Sequence, residues 1–306
     1  MTGVQTCALP ICEAVPLTAE EESSSRPRWS PDGRYLAFLS ARDDDDDNHD
    51  PTQIWTLFRE GGEAVQLTDT AQSVDSFEWS PDGRRMVLVL QDPTPAEIEA
   101  KEEGDDYEEK TPPPWVITRK QFKLDYVGYL DTRRTHLYLL DLASRELRQL
   151  TFGDYDDSEP AWSPDGSEIA YTVTAADWEE NRYDTEIWLV RDGSEPFQLT
   201  RTPDGSSTNP EWSPDGRWLA FTADRGAEQQ LYLIRPDGGE AWAVTEGDQG
   251  VTDFAWAPDG RRIALEISEG PKPDLWVYDL ERDTMTRLTF DGNAYVNPLW
   301  TPDGRS

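Results

Sequence analysis

Residues 210–222 read PEWSPDGRWLAFT, and this stretch decides the fold. Pro210 to Trp212 predicts a short strand, and Ser213 to Gly216 predicts a tight turn. Pro214 fixes φ near −65° and Gly216 is free to adopt a left-handed conformation, which are the two requirements of such a turn. Arg217 to Thr222 then alternates apolar and polar residues, as a half-buried second strand does.

The Trp-Ser-Pro-Asp-Gly motif recurs along the whole chain. It occurs six times, exactly or in a close variant, at Trp29, Trp79, Trp162, Trp212, Trp256 and Trp300. A second mark, mostly Leu-Thr, precedes each motif by 11 or 12 residues, at Thr18, Thr68, Thr151, Thr200, Thr245 and Thr289. Nearly constant spacing over six copies indicates a repeat architecture.

Each repeat predicts four short antiparallel strands. In the fourth repeat the third strand is predicted from Gln230 to Arg235 and the fourth from Ala241 to Val244. Four strands in every 40–50 residues are typical of a β-propeller blade. The sequence therefore predicts an all-β propeller with five complete blades, at 29–68, 79–151, 162–200, 212–245 and 256–289.

Partial blades are predicted at both ends of the chain. Ala14 to Leu17 resembles the outer strand of an earlier blade, and Val296 to Trp300 opens a later one. A parent with six or seven blades fits this pattern, and we favour seven. Since one sheet cannot bury both faces, the blades must stack on one another. The repeated tryptophans and the apolar second strands are predicted to be core rather than a ligand-binding ladder.

Composition excludes several classes of partner. The formal net charge is −34, so nucleic acid and anionic membrane surfaces would be repelled. No apolar run approaches the length of a transmembrane helix. With two His and two Cys in 306 residues, we expect no metal site and no cofactor.

The first residues do not resemble a biological peptide. Thr2 to Ile11 reads TGVQTCALPI, which resembles the translation of a sequencing adapter. Residues 1–12 are interpreted as this artefact and 13–306 as propeller. A short secretory signal is the alternative, although a basic leader and a long apolar run are missing. The compartment stays open, with the cytoplasm favoured and the periplasm possible.

The second blade carries an insertion over residues 91–132. Its first part is acidic and poor in apolar residues, which is typical of a solvated excursion. Its second part carries Trp115, Phe122, Tyr126 and Tyr129, which must cover some other surface. These four aromatic residues are predicted to contact either the rim of the propeller or a partner domain.

This insertion resembles a known family. Residues 112–151, PPPWVITRKQFKLDYVGYLDTRRTHLYLLDLASRELRQLT, are similar to the second-to-third-blade region of the prolyl oligopeptidase family, in its acylaminoacyl-peptidase and dipeptidyl-aminopeptidase-like branch. SRPRWSPDGRYLAFLSAR (25–42) and QIWTLFREGGEAVQLT (53–68) agree with it. Residues 270–304 are closer to generic TolB-type repeats.

The resemblance implies a serine peptidase whose propeller restricts access to a covalently linked α/β-hydrolase domain and orients short peptide substrates. That hydrolase domain carries a Ser on a G-x-S-x-G elbow, followed by Asp and His. The elbow is absent from these 306 residues. We expect no catalytic residue in this chain and no activity from it.

Three other groups of residues bear on function. His49 and His136 lack a neighbouring nucleophile in the sequence, so neither fits a triad. Asp43 to Asp47 lacks the spacing and the glycine of a calcium loop and is interpreted as solvated.

Glu179 and Glu180 lie between the second and third strands of the third blade. In dipeptidyl-peptidase relatives a pair of glutamates binds the free amino terminus of the substrate. The resemblance offers these two residues for that role, and an ordinary exposed loop is the alternative.

Two other functions remain open on the sequence. A TolB-like propeller would bind a protein partner without any enzymatic activity, and a sensor propeller would be attached to a kinase. The insertion favours the peptidase, whereas the final repeats favour the TolB-like module.

Overall fold

The structure is a computed structural model, and it describes most of the chain. The described residues are 17, 23–41, 51–94, 98, 123–124, 128–129, 133–177, 182–202, 205–225, 228–268, 272–290, 294–301 and 303–304. Residues 1–12, with Cys7 and Cys12, lie outside them, as do His49, the Asp43–Asp47 run and most of the insertion. Within the described part, no helix is long and apolar enough to span a membrane.

Apart from Ile98, whose backbone is helical, the regular elements in the described part are β-strands. Four form the first sheet: β1 (Ser24–Trp29), β2 (Tyr35–Ser40), β3 (Gln53–Phe58) and β4 (Val65–Gln66). The next six, in the second blade, are β5 (Val74–Trp79), β6 (Arg85–Gln91), β7 (Lys123–Leu124), β8 (Gly128–Tyr129), β9 (Thr135–Asp141) and β10 (Leu147–Gln149). The third blade has β11 (Asp156–Trp162), β12 (Glu168–Asp177), β13 (Arg182–Arg191) and β14 (Phe197–Gln198).

The last two sheets repeat the pattern. The fourth has β15 (Ser207–Trp212), β16 (Leu219–Ala223), β17 (Gln230–Ile234) and β18 (Trp242–Ala243). The fifth has β19 (Gly250–Trp256), β20 (Arg262–Ser268), β21 (Pro273–Asp279) and β22 (Thr284–Arg287).

Strand order confirms the predicted blade. Five sheets have four strands each, paired in chain order, with β9 and β10 completing the second sheet after the insertion. Where registers are given, neighbouring strands run antiparallel. The two-residue strands β7 and β8 pair only with each other. The all-β propeller class is therefore confirmed, and the number of blades in the parent stays a prediction.

The described residues fall into two compact units. The N-terminal unit contains the first two sheets, and the C-terminal unit contains residues 159–306 with the last three. In the N-terminal unit, Ile54, Phe77 and Met86 belong to one buried cluster that joins the first two sheets. In the C-terminal unit, Leu189 and Phe221 join the third and fourth sheets, and a second cluster joins the fourth and fifth.

The Ser-Pro-Asp-Gly turn is held by its own side chains. In the fourth sheet, Ser213 Oγ donates to Asp215 Oδ1 at 2.8 Å and accepts the Trp218 N–H at 3.0 Å. Asp215 Oδ1 also accepts the Arg217 N–H at 3.1 Å. These contacts satisfy the backbone groups that a tight turn leaves open, so the motif fixes the hairpin locally.

Consecutive turns also pack on each other within a unit. Gly216, at φ +70°, places its Cα where an added Cβ would meet Pro164 Cδ at 3.7 Å. Gly83 meets Pro31 of the preceding turn in the same way, at 3.5 Å. The motif therefore has two roles, since it closes a hairpin and provides a flat contact for the next one.

The repeated tryptophans couple successive first strands. Trp212 Nε1–H donates to the carbonyl of Ala161 at 3.0 Å, and Trp256 Nε1–H donates to that of Glu211 at 3.3 Å. Each acceptor is the residue before the preceding repeat's tryptophan. Trp79 Nε1–H reaches the Arg28 carbonyl at 3.3 Å in the same pattern.

Two details differ from the sequence prediction. Trp29 is 52% exposed rather than core, because β1 is the first described strand and no described sheet precedes it. Residues 294–301 are not a strand, since no second strand of their own pairs with them. Trp300 Nε1–H nevertheless donates to the Ala255 carbonyl at 2.9 Å, as a first-strand tryptophan does.

Candidate functional site

The site residues predicted from the sequence lie outside the described part. Trp115, Phe122, Tyr126, Glu179 and Glu180 are among the residues not described, and Tyr129 is described only through its backbone in β8. Their roles stay predictions.

What the structure adds is the pair of long strands that flank the two glutamates in the sequence. Strands β12 and β13 have 10 residues each and pair through to Asp177↔Arg182. The second and third strands of the fourth sheet have only 5 residues each. The repeat pattern predicts only Ile169 to Val173 and Glu186 to Arg191 for these two strands, so both are longer than predicted. Thr174 and Thr185, whose hydroxyls lie 3.0 Å apart, are part of this extension.

In the third strand of each of the five sheets, a buried polar residue directly precedes the residue whose N–H donates to the threonine of the Leu-Thr mark. The five are Gln53, His136, Glu186, Gln230 and Asp274, all under 9% exposed. In the third sheet Thr200 Oγ1 accepts the Ile187 N–H at 2.8 Å and donates to Glu186 Oε2 at 2.6 Å. This pair explains the Leu-Thr mark, because the threonine satisfies both a buried backbone donor and a buried side chain.

The second sheet alone has a histidine at this position, and its surroundings differ. His136 is 1% exposed, and its Nδ1 lies 2.9 Å from Asp157 Oδ2. Its Nε2 lies 3.5 Å from Asp92 Oδ2. Thr151 Oγ1 donates to Asp157 Oδ2 at 2.5 Å, so the threonine that elsewhere binds the third-strand residue here binds a carboxylate beside it.

Asp92 is held from two further directions. Tyr138 Oη donates to its Oδ1 at 3.0 Å, and Gln149 Nε2 donates to the same oxygen at 3.1 Å. Asp92 follows β6 and His136 lies near the start of β9, so the two residues flank the insertion on either side. We call residues 91–92 and 133–136 the neck of the insertion.

The charges of the neck shift several pKa values. Burial would lower the pKa of His136, but the hydrogen bond and charge of Asp157, the charge of Asp92 and the Gly153 carbonyl together raise it above 6.5. Burial raises the pKa of Asp157, and its bonds to His136 and Thr151 oppose that shift. Burial and the neighbouring Asp92 carboxylate raise the pKa of the Tyr138 hydroxyl.

This cluster is not a catalytic triad. A triad needs the nucleophile's hydroxyl on the histidine and the carboxylate on the other side of the ring. Here the Thr151 hydroxyl donates to Asp157 instead, and both residues are almost fully buried. Within the described ranges, no group of three or more His, Cys, Asp and Glu side chains is arranged to hold a metal ion.

A groove of ≈ 430 Å³ lies in the C-terminal unit beside the turns of the third and fourth sheets. Its lining includes Trp212, Pro214, Asp165 and Asp215. Both carboxylates already accept hydrogen bonds within their own turns. Their pKa values lie below normal: bonds from Ser163 and Ser167 lower that of Asp165, and contacts with Ser213 and Arg217 outweigh burial at Asp215. Neither residue is therefore suited to general acid–base chemistry at neutral pH.

Comparison with known proteins confirms the resemblance inferred from the sequence. Residues 113–254 match the TolB beta propeller domain model. "Uncharacterized peptidase YuxL" of Bacillus subtilis (strain 168) is 28% identical over 179 residues, which are 58% of this chain and 26% of that protein. The chain thus spans about a quarter of the length of the curated relative that it matches.

Solved structures agree on the fold. Pyrococcus horikoshii acylaminoacyl peptidase matches with a TM-score of 0.60 and 20% identity, over 87% of this chain and 38% of that one. A protein named TolB from Agrobacterium tumefaciens matches with a TM-score of 0.57 and 20% identity, over 92% of this chain and 87% of that one. The chain is a propeller related both to peptidase propellers and to TolB.

Proposed function

We propose that this chain is the substrate-gating propeller of a serine peptidase that cleaves short peptides or removes acylated or single amino acids from peptide N-termini. The observation that carries the proposal is the match to a peptidase over only 26% of that peptidase's length. The rest of such a protein supplies the α/β-hydrolase domain in this proposal, and the propeller limits which peptides reach it.

The described residues are consistent with a non-catalytic role. The histidine of the neck has a carboxylate on each side and no nucleophile on either. In four of the Asp-Gly turns the aspartate accepts a backbone N–H, at Asp32, Asp165, Asp215 and Asp259. A domain built in this way positions and excludes molecules rather than reacting with them.

Glu179 and Glu180 are the residues that we propose to bind the substrate's free ammonium group. They lie in the four-residue connection between two strands that are longer than their counterparts in the other sheets. Two carboxylates near an ammonium group provide both charge and hydrogen-bond acceptors.

The first test is to read the source gene past Ser306. The proposal expects an open frame with G-x-S-x-G followed by Asp and His, and a frame that stops within one further blade would overturn it. In the enzyme so obtained, the double variant Glu179→Gln/Glu180→Gln should raise KM for free-amino-terminal peptides about tenfold, the equivalent of one lost charged contact of roughly 1.4 kcal/mol. KM for blocked peptides should not change.

The matched control is Glu195→Gln, which changes an exposed acid in the turn at the other end of the same sheet. It should leave KM unchanged for both classes of peptide. If the control and the double variant behave alike, the effect is one of net charge and the assignment of Glu179 and Glu180 is wrong.

A second candidate is a TolB-like module that binds a protein and has no hydrolase domain. The observation that favours it is coverage, since the TolB structure matches over 87% of its own length. This candidate expects the gene to stop soon after Ser306. It also expects the purified chain to capture one partner stoichiometrically.

A further inference from the structure

We propose that protonated His136 forms a pH-dependent link between Asp92, at one side of the insertion neck, and the buried Asp157. When His136 loses its proton, the contacts that hold the neck together weaken. The inference concerns the described base of the insertion and does not depend on the proposed peptidase function.

A carboxylate lies on each side of the imidazole. Nδ1 lies 2.9 Å from Asp157 Oδ2, and Nε2 lies 3.5 Å from Asp92 Oδ2. The Gly153 carbonyl is a further acceptor beside the ring. All of these partners are acceptors. A neutral imidazole has only one N–H, so only the imidazolium satisfies both sides of the ring.

Loss of the proton affects the two sides unequally. Asp157 is fully buried and has the shorter contact, so it retains the remaining hydrogen on Nδ1. Nε2 then becomes an acceptor that faces the Asp92 carboxylate. That arrangement is repulsive, so the contact that breaks is the one to Asp92, on the neck side.

The other groups near the ring do not replace the lost charge. Tyr155 lies edge-on to His136, with ring centroids 6.0 Å apart. Arg134 is bound to Asp154 at 2.7 Å and to Asp156 at 3.2 Å. Tyr138 and Gln149 already donate to the other oxygen of Asp92. Among the described groups, the imidazolium is therefore the cation on which the contacts to Asp92 and to Asp157 both depend.

The direction of the pH effect follows from the raised pKa of His136. Its contribution to stability is complete below about pH 6.5, the value of the unfolded chain, and is lost as pH rises through the folded value. The neck should thus be tight in mildly acidic solution and looser in alkaline solution.

Other sheets provide the matched replacement. The equivalent position is glutamine in the first and fourth sheets, and Gln53 Oε1 accepts the Thr68 hydroxyl at 2.7 Å. The substitution His136→Gln therefore introduces a residue that other repeats already have at this position, and glutamine has no titratable group. Asp92→Asn keeps the shape of the neck but removes one of the two charges.

The test combines a titration with hydrogen exchange on the full chain. The histidine Cε1–H signals are followed by NMR from pH 5 to pH 9, and His49→Gln identifies the signal of His136. We expect His136 to titrate above pH 6.5 and its midpoint to fall in Asp92→Asn. Titration at or below 6.5, or a midpoint that Asp92→Asn leaves unchanged, overturns the proposal.

Hydrogen exchange then locates the change. After correction for intrinsic rates, protection of the amides at 90–92 and 134–138 should fall at least ~3-fold between pH 6 and pH 8.5. Residues 222–224 and 229–231 of the fourth sheet, where Gln230 occupies the same position, should not change. His136→Gln should abolish the dependence. The same loss of protection in that variant, or in the fourth sheet, would mean that His136 is not the pH-dependent link of the neck. Asp92→Asn should weaken the dependence, so the proposal stays testable even if His136→Gln folds poorly.

Discussion

Replacing Thr200 with valine tests whether the hydroxyl of the Leu-Thr threonine stabilises its sheet through its two hydrogen bonds. The hydroxyl of Thr200 is 3% exposed, accepts the Ile187 N–H at 2.8 Å and donates to Glu186 at 2.6 Å. Valine has nearly the same shape, so Thr200→Val removes both hydrogen bonds and leaves packing intact. A buried group without a partner costs about 1–3 kcal/mol. Two such groups, with partial relaxation, give an expected loss of about 2–4 kcal/mol.

Thr200→Ser is the control, because it keeps the hydroxyl and loses one methyl group, worth about 0.8 kcal/mol. Stability is read from urea unfolding at constant m-value, together with hydrogen exchange of the third sheet. If Thr200→Val lowers the free energy of unfolding by no more than Thr200→Ser does, within about 0.5 kcal/mol, the hydroxyl does not stabilise the sheet and the argument fails.

The same pair predicts a pH dependence. Burial raises the pKa of Glu186, and the hydrogen bond from Thr200 opposes that shift by favouring the ionised form. The stability that comes from protonated Glu186 is present at low pH and is lost as pH rises through its folded pKa. Removing Thr200's hydroxyl should therefore cost more at pH 8 than at pH 4. A penalty that is the same at both pH values would show that Glu186 does not titrate with this bond.

Five further substitutions, one of them a control, test the contacts within and between turns. Ser213→Ala should cost about 1 kcal/mol in urea unfolding, because one turn hydrogen-bond network is lost, whereas Ala257→Ser should gain a few tenths in the turn that naturally lacks the hydroxyl. Gly216→Ala should cost about 1–2 kcal/mol, since φ is +70° there. The control Gly193→Ala, at φ +76° with nothing near the added Cβ, should cost the same, and a much larger loss at Gly216 would mean that the proline contact also resists a methyl group. Trp212→Phe should cost about 1–2 kcal/mol by leaving a strand carbonyl without its indole donor, and an unchanged melting midpoint would contradict that role.

Sequence reasoning found the repeat because the repeat is local. The turn from Ser213 to Gly216 is specified by residues within five positions of each other, and the alternation of the second strand follows at once. Thr200 was recognised as a mark by its spacing, but its purpose was not visible, since its partners lie 13 and 14 residues away.

The neck of the insertion could not be predicted in the same way. His136 meets Asp157 from 21 residues downstream and Asp92 from the far side of the insertion. Nothing in local periodicity brings three such segments together. One signal in the sequence was available. Aligning the repeats puts His136 at the position that Gln53, Glu186, Gln230 and Asp274 occupy, so the alignment shows an imidazole where other repeats have an amide or a carboxylate. The repeat pattern predicts Trp29 to be buried, because the same position is buried in other repeats. The pattern does not show that no described sheet lies next to β1.

In four of the repeats the glycine of the Asp-Gly turn packs on the proline of the turn before it, at Gly83, Gly216, Gly260 and Gly304. This contact limits where the repeat can acquire new sequence. A lengthened turn at Gly216 would separate it from Pro164, and the next turn would then have no surface to lie on. At the opposite end of each sheet, the connections contain no Pro-Asp-Gly motif. The connections between second and third strands accordingly vary widely, over residues 41–52, 92–134, 178–181, 224–229 and 269–272. Evolution of new specificity in this chain is thereby directed to one end of its sheets, and libraries for engineering it should be built there.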